Sequence, residues 1–78
     1  MGQSLILYTR PECELCEHAV RIAAEAECAL IYRDISRSLA LLERYRDRIP
    51  VLAHPETGDE LGWPFDLAAV QQLAGAAS

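Results

Sequence analysis

The chain has 78 residues, of which 51% are hydrophobic and 24% are charged, and its formal net charge is −5. This length predicts a single domain over residues 1–78 with a small, compact core. The acidic balance argues against general nucleic-acid binding. No apolar run approaches the roughly 20 residues that span a bilayer. The N-terminus also lacks the basic and apolar regions of a signal peptide, so we expect a cytoplasmic protein that does not associate with membranes.

The first part of the chain alternates between strand and helix patterns. Residues 4–8 are apolar after Ser4 and predict a strand buried on both faces. Residues 14 to about 27 predict an amphipathic helix, and residues 29–35 predict a second strand. The apolar stripe of the helix is expected to consist of Leu15, Ala19, Ile22 and Ala26.

A second helix is predicted over about residues 37–47, because Ser36 is a suitable N-cap and apolar residues follow at helical spacing. Its apolar stripe would consist of Leu39, Leu42 and Tyr45. The same region carries four arginines, Arg37, Arg44, Arg46 and Arg48. They form either a solvated helix face or a positive patch that docks an acidic partner, such as one dedicated enzyme.

The last part of the chain reads as a hairpin followed by a helix. Pro50 precedes a predicted third strand at 51–53, and turn residues over 54–59 predict a connection to a fourth strand at 60–63. Asp66 is a suitable N-cap for a last helix over about 67–74. The final four residues, 75–78, are expected to fray.

The order of these elements, βαβαββα, predicts an α/β fold with a four-stranded mixed sheet flanked by three helices. The first two strands are joined by a helical crossover, so they should be parallel with a right-handed connection. The last two are joined by a short loop, so they should be antiparallel.

Two cysteines, Cys13 and Cys16, have Cys-x-x-Cys spacing at the point where the first strand gives way to the first helix. At a helix N-terminus, unpaired N–H groups and the helix dipole favour an anion, and Arg10 would add positive charge. Glu12 and Glu14 act in the opposite sense. We therefore expect a moderately lowered pKa for Cys13, the candidate nucleophile. Cys16, one turn later, would be the less exposed, resolving thiol.

Three interpretations of this cysteine pair remain open. Thiol–disulfide exchange is the one that we favour. A purely structural disulfide would close a four-residue ring worth only about 2 kcal/mol. For a metal or iron–sulfur site, two cysteines supply half of a tetrahedral ligand set. His18 would point away from Cys16, so a cluster shared by a dimer is the more credible form of such a site. Haem attachment is excluded because Glu17, not histidine, follows Cys16.

The segment from Tyr8 to Cys16, Tyr-Thr-Arg-Pro-Glu-Cys-Glu-Leu-Cys, resembles the active-site segment of glutaredoxin-like proteins of the thioredoxin-fold superfamily. Ile49-Pro50-Val51 resembles the cis-proline turn of that family. The stretch 61–66 stands where glutaredoxins carry their Gly-Gly and Asp-Asp glutathione loop. The element order extends the resemblance over essentially the whole chain, and Gly62-Trp63-Pro64-Phe65 is similar to the short bacterial glutaredoxin-like group.

The resemblance implies a thioredoxin-like fold and a thiol–disulfide oxidoreductase, with Cys13 and Cys16 as its catalytic residues. The substrate would be a protein disulfide or a glutathione mixed disulfide, and electrons would come from glutathione or a reductase. It also implies a monomer with no resident cofactor and no metal. The residues expected to contact substrate are Arg10, Ile49, Pro50, Gly62, Trp63 and Asp66.

The chain departs from the family pattern at three positions. Glu14 replaces the proline that commonly follows the first cysteine, Trp63 replaces the second glycine of the loop, and Phe65 replaces its first aspartate. A bulky Trp63 where a ligand backbone would approach closely argues against glutathione. The alternative function is a non-catalytic binding module of the same fold that holds a partner or a metal cluster.

Several other side chains carry expectations of their own. Trp63 and Phe65 either form an apolar rim beside the cysteines or cover the sheet edge. The Tyr8 ring belongs either to the strand core or to the site. Cys28 is expected to be a small core residue. His54 is expected to lie in the exposed hairpin, with no catalytic role.

Overall fold

The protein is described by a computed structural model over residues 3–75. The predicted α/β architecture is confirmed, and residues 76–78 of the stretch expected to fray lie outside the described part. The elements are β1 (Ser4–Thr9), α1 (Glu14–Glu25), β2 (Ala29–Asp34), a 3-10 turn (Ile35–Arg37), α2 (Leu39–Tyr45), β3 (Val51–Ala53), β4 (Glu60–Gly62) and α3 (Leu67–Ala74). None of the helices within residues 3–75 is long and apolar enough to cross a membrane.

The four strands form one mixed sheet in the order β2-β1-β3-β4. β1 and β2 are parallel and joined by α1, as the crossover predicted. β3 runs antiparallel to both β1 and β4. Leu7 lies opposite Tyr32 on one side and Leu52 on the other, so the cysteine segment leaves from an inner strand of the sheet.

Alternation along β1 sends its side chains into two hydrophobic clusters, one on each face of the sheet. Leu5 and Leu7 join the larger cluster, to which α1 and α3 contribute. Tyr8 packs against the smaller cluster beneath α2, formed by Ile35, Tyr45 and Val51. The sheet is therefore covered by two helices on one face and by a single short helix on the other.

The second helix begins later than the sequence predicted. Asp34 accepts a hydrogen bond from the Ser36 N–H at 2.9 Å and caps a 3-10 turn, so Ser36 is not the N-cap of α2. Ser38 takes that role instead, because its hydroxyl accepts from the Leu41 N–H at 3.4 Å. The Ser36 hydroxyl also donates to the Asp34 carboxylate, which holds Ser36 in the 3-10 turn and leaves the capping of α2 to Ser38.

Two leucines expected in apolar stripes are exposed instead. Leu15 is 44% exposed because the buried side of α1 runs one position further on, through Cys16, Ala19 and Ala23. Leu39 is 71% exposed because the side of α2 that faces the sheet carries Leu41, Leu42 and Tyr45. Smaller differences concern element ends: α1 ends at Glu25, β2 at Asp34 and β4 at Gly62.

Tyr45 ties α2 to the sheet. Its ring stacks on Tyr8 with centroids 4.2 Å apart, and its hydroxyl donates to the Glu60 carboxylate. Burial, reinforced by that hydrogen bond, raises the pKa of the Tyr45 phenol. The guanidinium groups of Arg44 and Arg48 lie 5.3 Å and 5.9 Å from the ring centroid, and Arg44 also pairs with Glu60 at 3.5 Å. Two of the four clustered arginines therefore cover this joint.

His54, expected in an exposed hairpin, is only 2% exposed. Its Nδ1 accepts from the N–H groups of Glu56 at 3.1 Å and Thr57 at 3.4 Å. The backbone N–H of His54 donates to the Asp59 carbonyl at 2.9 Å. The Nδ1 atom thus satisfies two backbone donors of the turn, which favours burial of the ring where an exposed histidine was predicted. Among the described residues, its Nε2 has no hydrogen-bond partner.

Candidate active site

Cys13 and Cys16 form a disulfide at the N-terminus of α1, with their Cα atoms 5.2 Å apart. Cys13 is the N-cap residue, and its Sγ accepts a hydrogen bond from the Cys16 N–H at 3.2 Å. The sulfur thus takes one of the backbone donors that a helix start leaves unpaired. Cys16 is only 5% exposed, whereas Cys13 is half-buried. This is the asymmetry that the spacing predicted.

A sharp turn brings the chain from β1 to Cys13. Arg10 and Pro11 are exposed, and Glu12 has a positive φ of 61°. The left-handed region costs a side chain about 1 kcal/mol. The turn returns Cys13 to an extended conformation, with φ at −100°, from which α1 begins. The Cys13–Cys16 pair is therefore flanked by an exposed turn with one left-handed residue on one side and by α1 on the other.

Pro50 lies at the same end of the sheet as the cysteines. The peptide bond between Ile49 and Pro50 is cis, as the resemblance implied. Val51 is paired with Tyr8, so the residues before β3 sit beside the end of β1 from which the cysteine turn leaves. The Pro50 carbonyl accepts from the Trp63 N–H at 3.1 Å, which ties this turn to the segment after β4.

Two grooves meet at Cys13. The first, the β2-side groove, has a volume of about 530 Å³ and lies between α1 and the edge strand β2. Its lining residues are Leu7, Thr9, Arg10, Glu12, Cys13, Glu14, Cys16, Glu17, Val20 and Tyr32. The second, the Pro50-side groove, has a volume of about 320 Å³ and lies toward the segment before β3. Its lining residues are Arg10, Glu12, Cys13, Glu14, Leu15, Arg46, Asp47 and Ile49.

The two grooves differ in which sulfur they reach. Both are lined by Cys13, but Cys16 lines only the β2-side groove. The Pro50-side groove carries Arg10 and Arg46 and is edged by the exposed Leu15. Sequence reasoning did not assign Tyr32 to the site. The signal was available, because Tyr32 follows two residues after Leu30 in the second strand and so faces the same side as α1.

The predicted substrate-binding residues fall into two groups. Arg10 and Ile49 line a groove that contains Cys13, and Pro50 is buried directly after Ile49. Gly62, Trp63 and Asp66 line neither of the two grooves at the cysteines. Asp66 caps α3 by accepting from the Ala69 N–H at 2.9 Å, and Gly62 faces open space.

Trp63 and Phe65 differ in burial, and neither lines a groove at the cysteines. Phe65 is part of the core. Trp63 is half-buried and packs edge-on against Phe65, with ring centroids 5.1 Å apart. The Trp63 ring also lies 6.3 Å from the ring of the exposed His18 on α1. It therefore lies between His18 of α1 and Phe65, packed against the larger hydrophobic cluster.

Cys28, the third cysteine, is a core residue as predicted, with 8% exposure. Burial raises the pKa of the Cys28 thiol. Within residues 3–75, no three histidine, cysteine, aspartate or glutamate side chains converge as a metal site.

The mixed sheet with helices on both faces, together with a Cys-x-x-Cys disulfide at the start of α1, defines a thioredoxin-fold protein. Residues 4–73 match the family model described as "Glutaredoxin-like domain (DUF836)". The chain belongs to this glutaredoxin-like family.

Two solved structures are similar to the chain over nearly its whole length. The X-ray structure of Northeast Structural Genomics target protein XcR50 from X. campestris is 40% identical, with a TM-score of 0.84, over 95% of this chain and 99% of that chain. The solution structure of XcR50 is 39% identical, with a TM-score of 0.84, over 100% of this chain and 97% of that chain. No curated protein matches the chain significantly.

Proposed function

We propose that this protein is a thiol–disulfide oxidoreductase that exchanges electrons through Cys13 and Cys16. The observation that carries the proposal is the asymmetric pair itself: a half-exposed Cys13 at the helix start, joined to a buried Cys16. A structural staple at this spacing would add only about 2 kcal/mol, and the fold already has two hydrophobic clusters.

The oxidised form is reduced in two steps. A donor thiolate attacks the Cys13 sulfur, and the bond between Cys13 and Cys16 breaks, so Cys16 leaves as a thiolate. A second donor thiolate then attacks the donor sulfur of the mixed disulfide, and Cys13 leaves as a thiolate. The donor is oxidised to a disulfide, and the protein becomes a dithiol after taking up the protons that its pH requires.

The reduced form acts in the opposite direction. The Cys13 thiolate attacks a substrate disulfide, one substrate sulfur leaves, and Cys16 then attacks Cys13 to release the other. The Cys16 N–H, 3.2 Å from the Cys13 sulfur in the disulfide, is a donor that stabilises negative charge on that sulfur. Glu12 and Glu14 oppose this effect, which favours a moderately rather than an extremely reactive thiolate.

The Pro50-side groove gives a substrate sulfur its approach. Thiolate attack on a disulfide proceeds along the axis of the breaking bond, so the incoming sulfur must reach Cys13 from the side away from Cys16. The Pro50-side groove is lined by Cys13 and not by Cys16, which supports entry there. The backbone at Ile49 can pair with an extended substrate segment, so the substrate is a protein disulfide or a glutathione mixed disulfide.

Two cysteine variants test the proposal. Cys13→Ser should abolish reduction of a mixed-disulfide substrate, because the attacking thiol is gone. Cys16→Ser should instead accumulate a mixed disulfide with the substrate at Cys13. Mass spectrometry would detect this complex, and dithiothreitol would cleave it. Cys28→Ser is the matched control, because it removes a buried thiol away from the pair. Failure of the wild-type protein to exchange with any thiol donor would overturn the proposal and favour the binding-module alternative.

A further inference from the structure

We propose that the β2-side groove binds a cationic segment of the disulfide partner, so that the preferred substrate carries arginine or lysine close to its reacting cysteine. This inference rests on the proposed function and names the substrate class. It concerns the larger of the two grooves at Cys13, which the exchange chemistry itself does not require.

The charge of the groove is the first argument. Glu12, Glu14 and Glu17 line it, and Arg10 is its one lining cation. All four side chains are exposed. Among residues 3–75 the one ion pair joins Arg44 to Glu60, so none of these three carboxylates is neutralised by a salt bridge. A groove with an excess of carboxylates attracts cationic partners and repels anionic ones.

The floor and wall of the groove supply the second argument. Leu7 and Val20 give it an apolar floor, and Tyr32 forms a wall with 58% of its surface exposed. Arginine and lysine have long apolar stems that cover such surfaces while the charged head stays in water near carboxylates. The face of an exposed tyrosine also attracts a cation. The same groove therefore matches both parts of a basic side chain.

The position of the groove supplies the third argument. It shares Cys13 with the Pro50-side groove, so a chain whose cysteine enters on the Pro50 side can continue past Cys13 into the β2 side. Its volume of about 530 Å³ lies within the range of about 300–1,000 Å³ typical of ligand sites. That is room for side chains of a peptide segment flanking the reacting cysteine.

Three matched substrates test this inference. Each is a dimer of one short peptide joined by a single cystine, and the three peptides differ only in carrying arginine, glutamine or glutamate on both sides of the cysteine. Reduced protein attacks one peptide sulfur through Cys13 and releases one peptide thiol. Cys16 then releases the second, so the protein dithiol is oxidised and the peptide disulfide is reduced. The released thiols are followed by chromatography, and each rate is divided by that of dithiothreitol with the same peptide, which removes intrinsic reactivity.

The arginine peptide should react about tenfold faster than the glutamate peptide at low salt, with the glutamine peptide between them. The preference should shrink toward unity in about 1 M salt, where the Debye length is about 3 Å. Glu14→Gln with Glu17→Gln should remove most of the preference. A uniform change in Cys13 reactivity caused by Glu14→Gln cancels in the ratio of the two peptides.

The control changes the same number of charges elsewhere. Glu25→Gln with Glu43→Gln removes two exposed carboxylates from the last turn of α1 and from α2, and it should leave the preference unchanged. Tyr32→Ser should slow the arginine peptide more than the glutamate peptide, and Leu39→Ser, which removes another exposed apolar side chain, should not.

Equal normalised rates for the three peptides would overturn the inference, and so would a preference that survives Glu14→Gln with Glu17→Gln. In either case exchange itself would stand. Loss of exchange with every peptide, together with no trapped complex in Cys16→Ser, would overturn the proposed function and this inference with it.

Discussion

The turn at Cys13 and the turn at His54 use the same local device at opposite ends of the sheet. In each, a side-chain atom accepts hydrogen bonds from backbone N–H groups two or three residues later: Cys13 Sγ from Cys16, and His54 Nδ1 from Glu56 and Thr57. The Cys13 turn is open to two grooves, whereas His54 is buried. The same hydrogen-bonding arrangement is thus accessible from solvent at one end of the sheet and buried at the other.

The largest expected effect of burial is on the reactivity of the thiols of Cys13 and Cys28. In reduced protein, Cys28 should react with iodoacetamide about a hundredfold more slowly than Cys13 near pH 8, because Cys28 is buried and must be exposed by local opening. Burial also raises the Cys28 thiol pKa above its ordinary value, which lowers its thiolate fraction. Mass spectrometry of time points would measure both rates. Equal labelling would show that exposure does not separate the two thiols.

The His54 turn should govern stability without governing exchange. His54→Ala should lower the free energy of unfolding by about 2 kcal/mol, because it leaves a cavity and removes the acceptor for two N–H groups. His54→Asn should recover part of that loss, since an asparagine oxygen can accept in a similar position. Urea denaturation measures both changes, and the exchange rate of the folded variants is the control. A large loss of exchange in folded His54→Ala would show that this turn also influences the cysteine site.

Asp34 offers a third turn of this kind, exposed and titratable. The Ser36 hydroxyl and N–H both donate to its carboxylate and lower the pKa of Asp34. A carboxyl whose folded pKa is lowered stabilises the fold above its unfolded pKa, near 3.9, and that contribution is lost as the pH falls through the folded pKa. The stability difference between wild type and Asp34→Asn should therefore be larger at about pH 6 than at about pH 3. It should be small, because the site is exposed, and a constant difference would contradict the role of the charge.

Local patterns were sufficient for most of the elements. The Cys-x-x-Cys pair, the N-cap at Asp66 and the strand at Val51–Ala53 depend on residues close together in the chain, and the structure places each where it was predicted. The predicted start of α2 was wrong by two residues, because the N–H and hydroxyl of Ser36 donate to Asp34 and Ser38 caps the helix instead. Competition among neighbouring caps is still local, but its outcome depends on small differences in geometry.

The candidate site was predicted less completely than the fold. Cys13, Arg10 and Ile49 line one groove together, whereas Gly62, Trp63 and Asp66 line neither groove. The wall formed by Tyr32 was missed, because a strand pattern does not say how far a neighbouring helix reaches over the sheet.

The sequence by itself determined the order of the elements, the parallel crossover and the position of two cysteines at a helix start. Hydrophobic periodicity, capping and connection length are properties of short segments, so they can be evaluated without knowledge of the tertiary contacts. Only the tertiary structure decided that His54 is buried, that Leu15 is exposed and that two grooves meet at Cys13. Each of these depends on which distant residues cover a side chain, and in a fold with one small helix on one face of its sheet, that coverage is uneven.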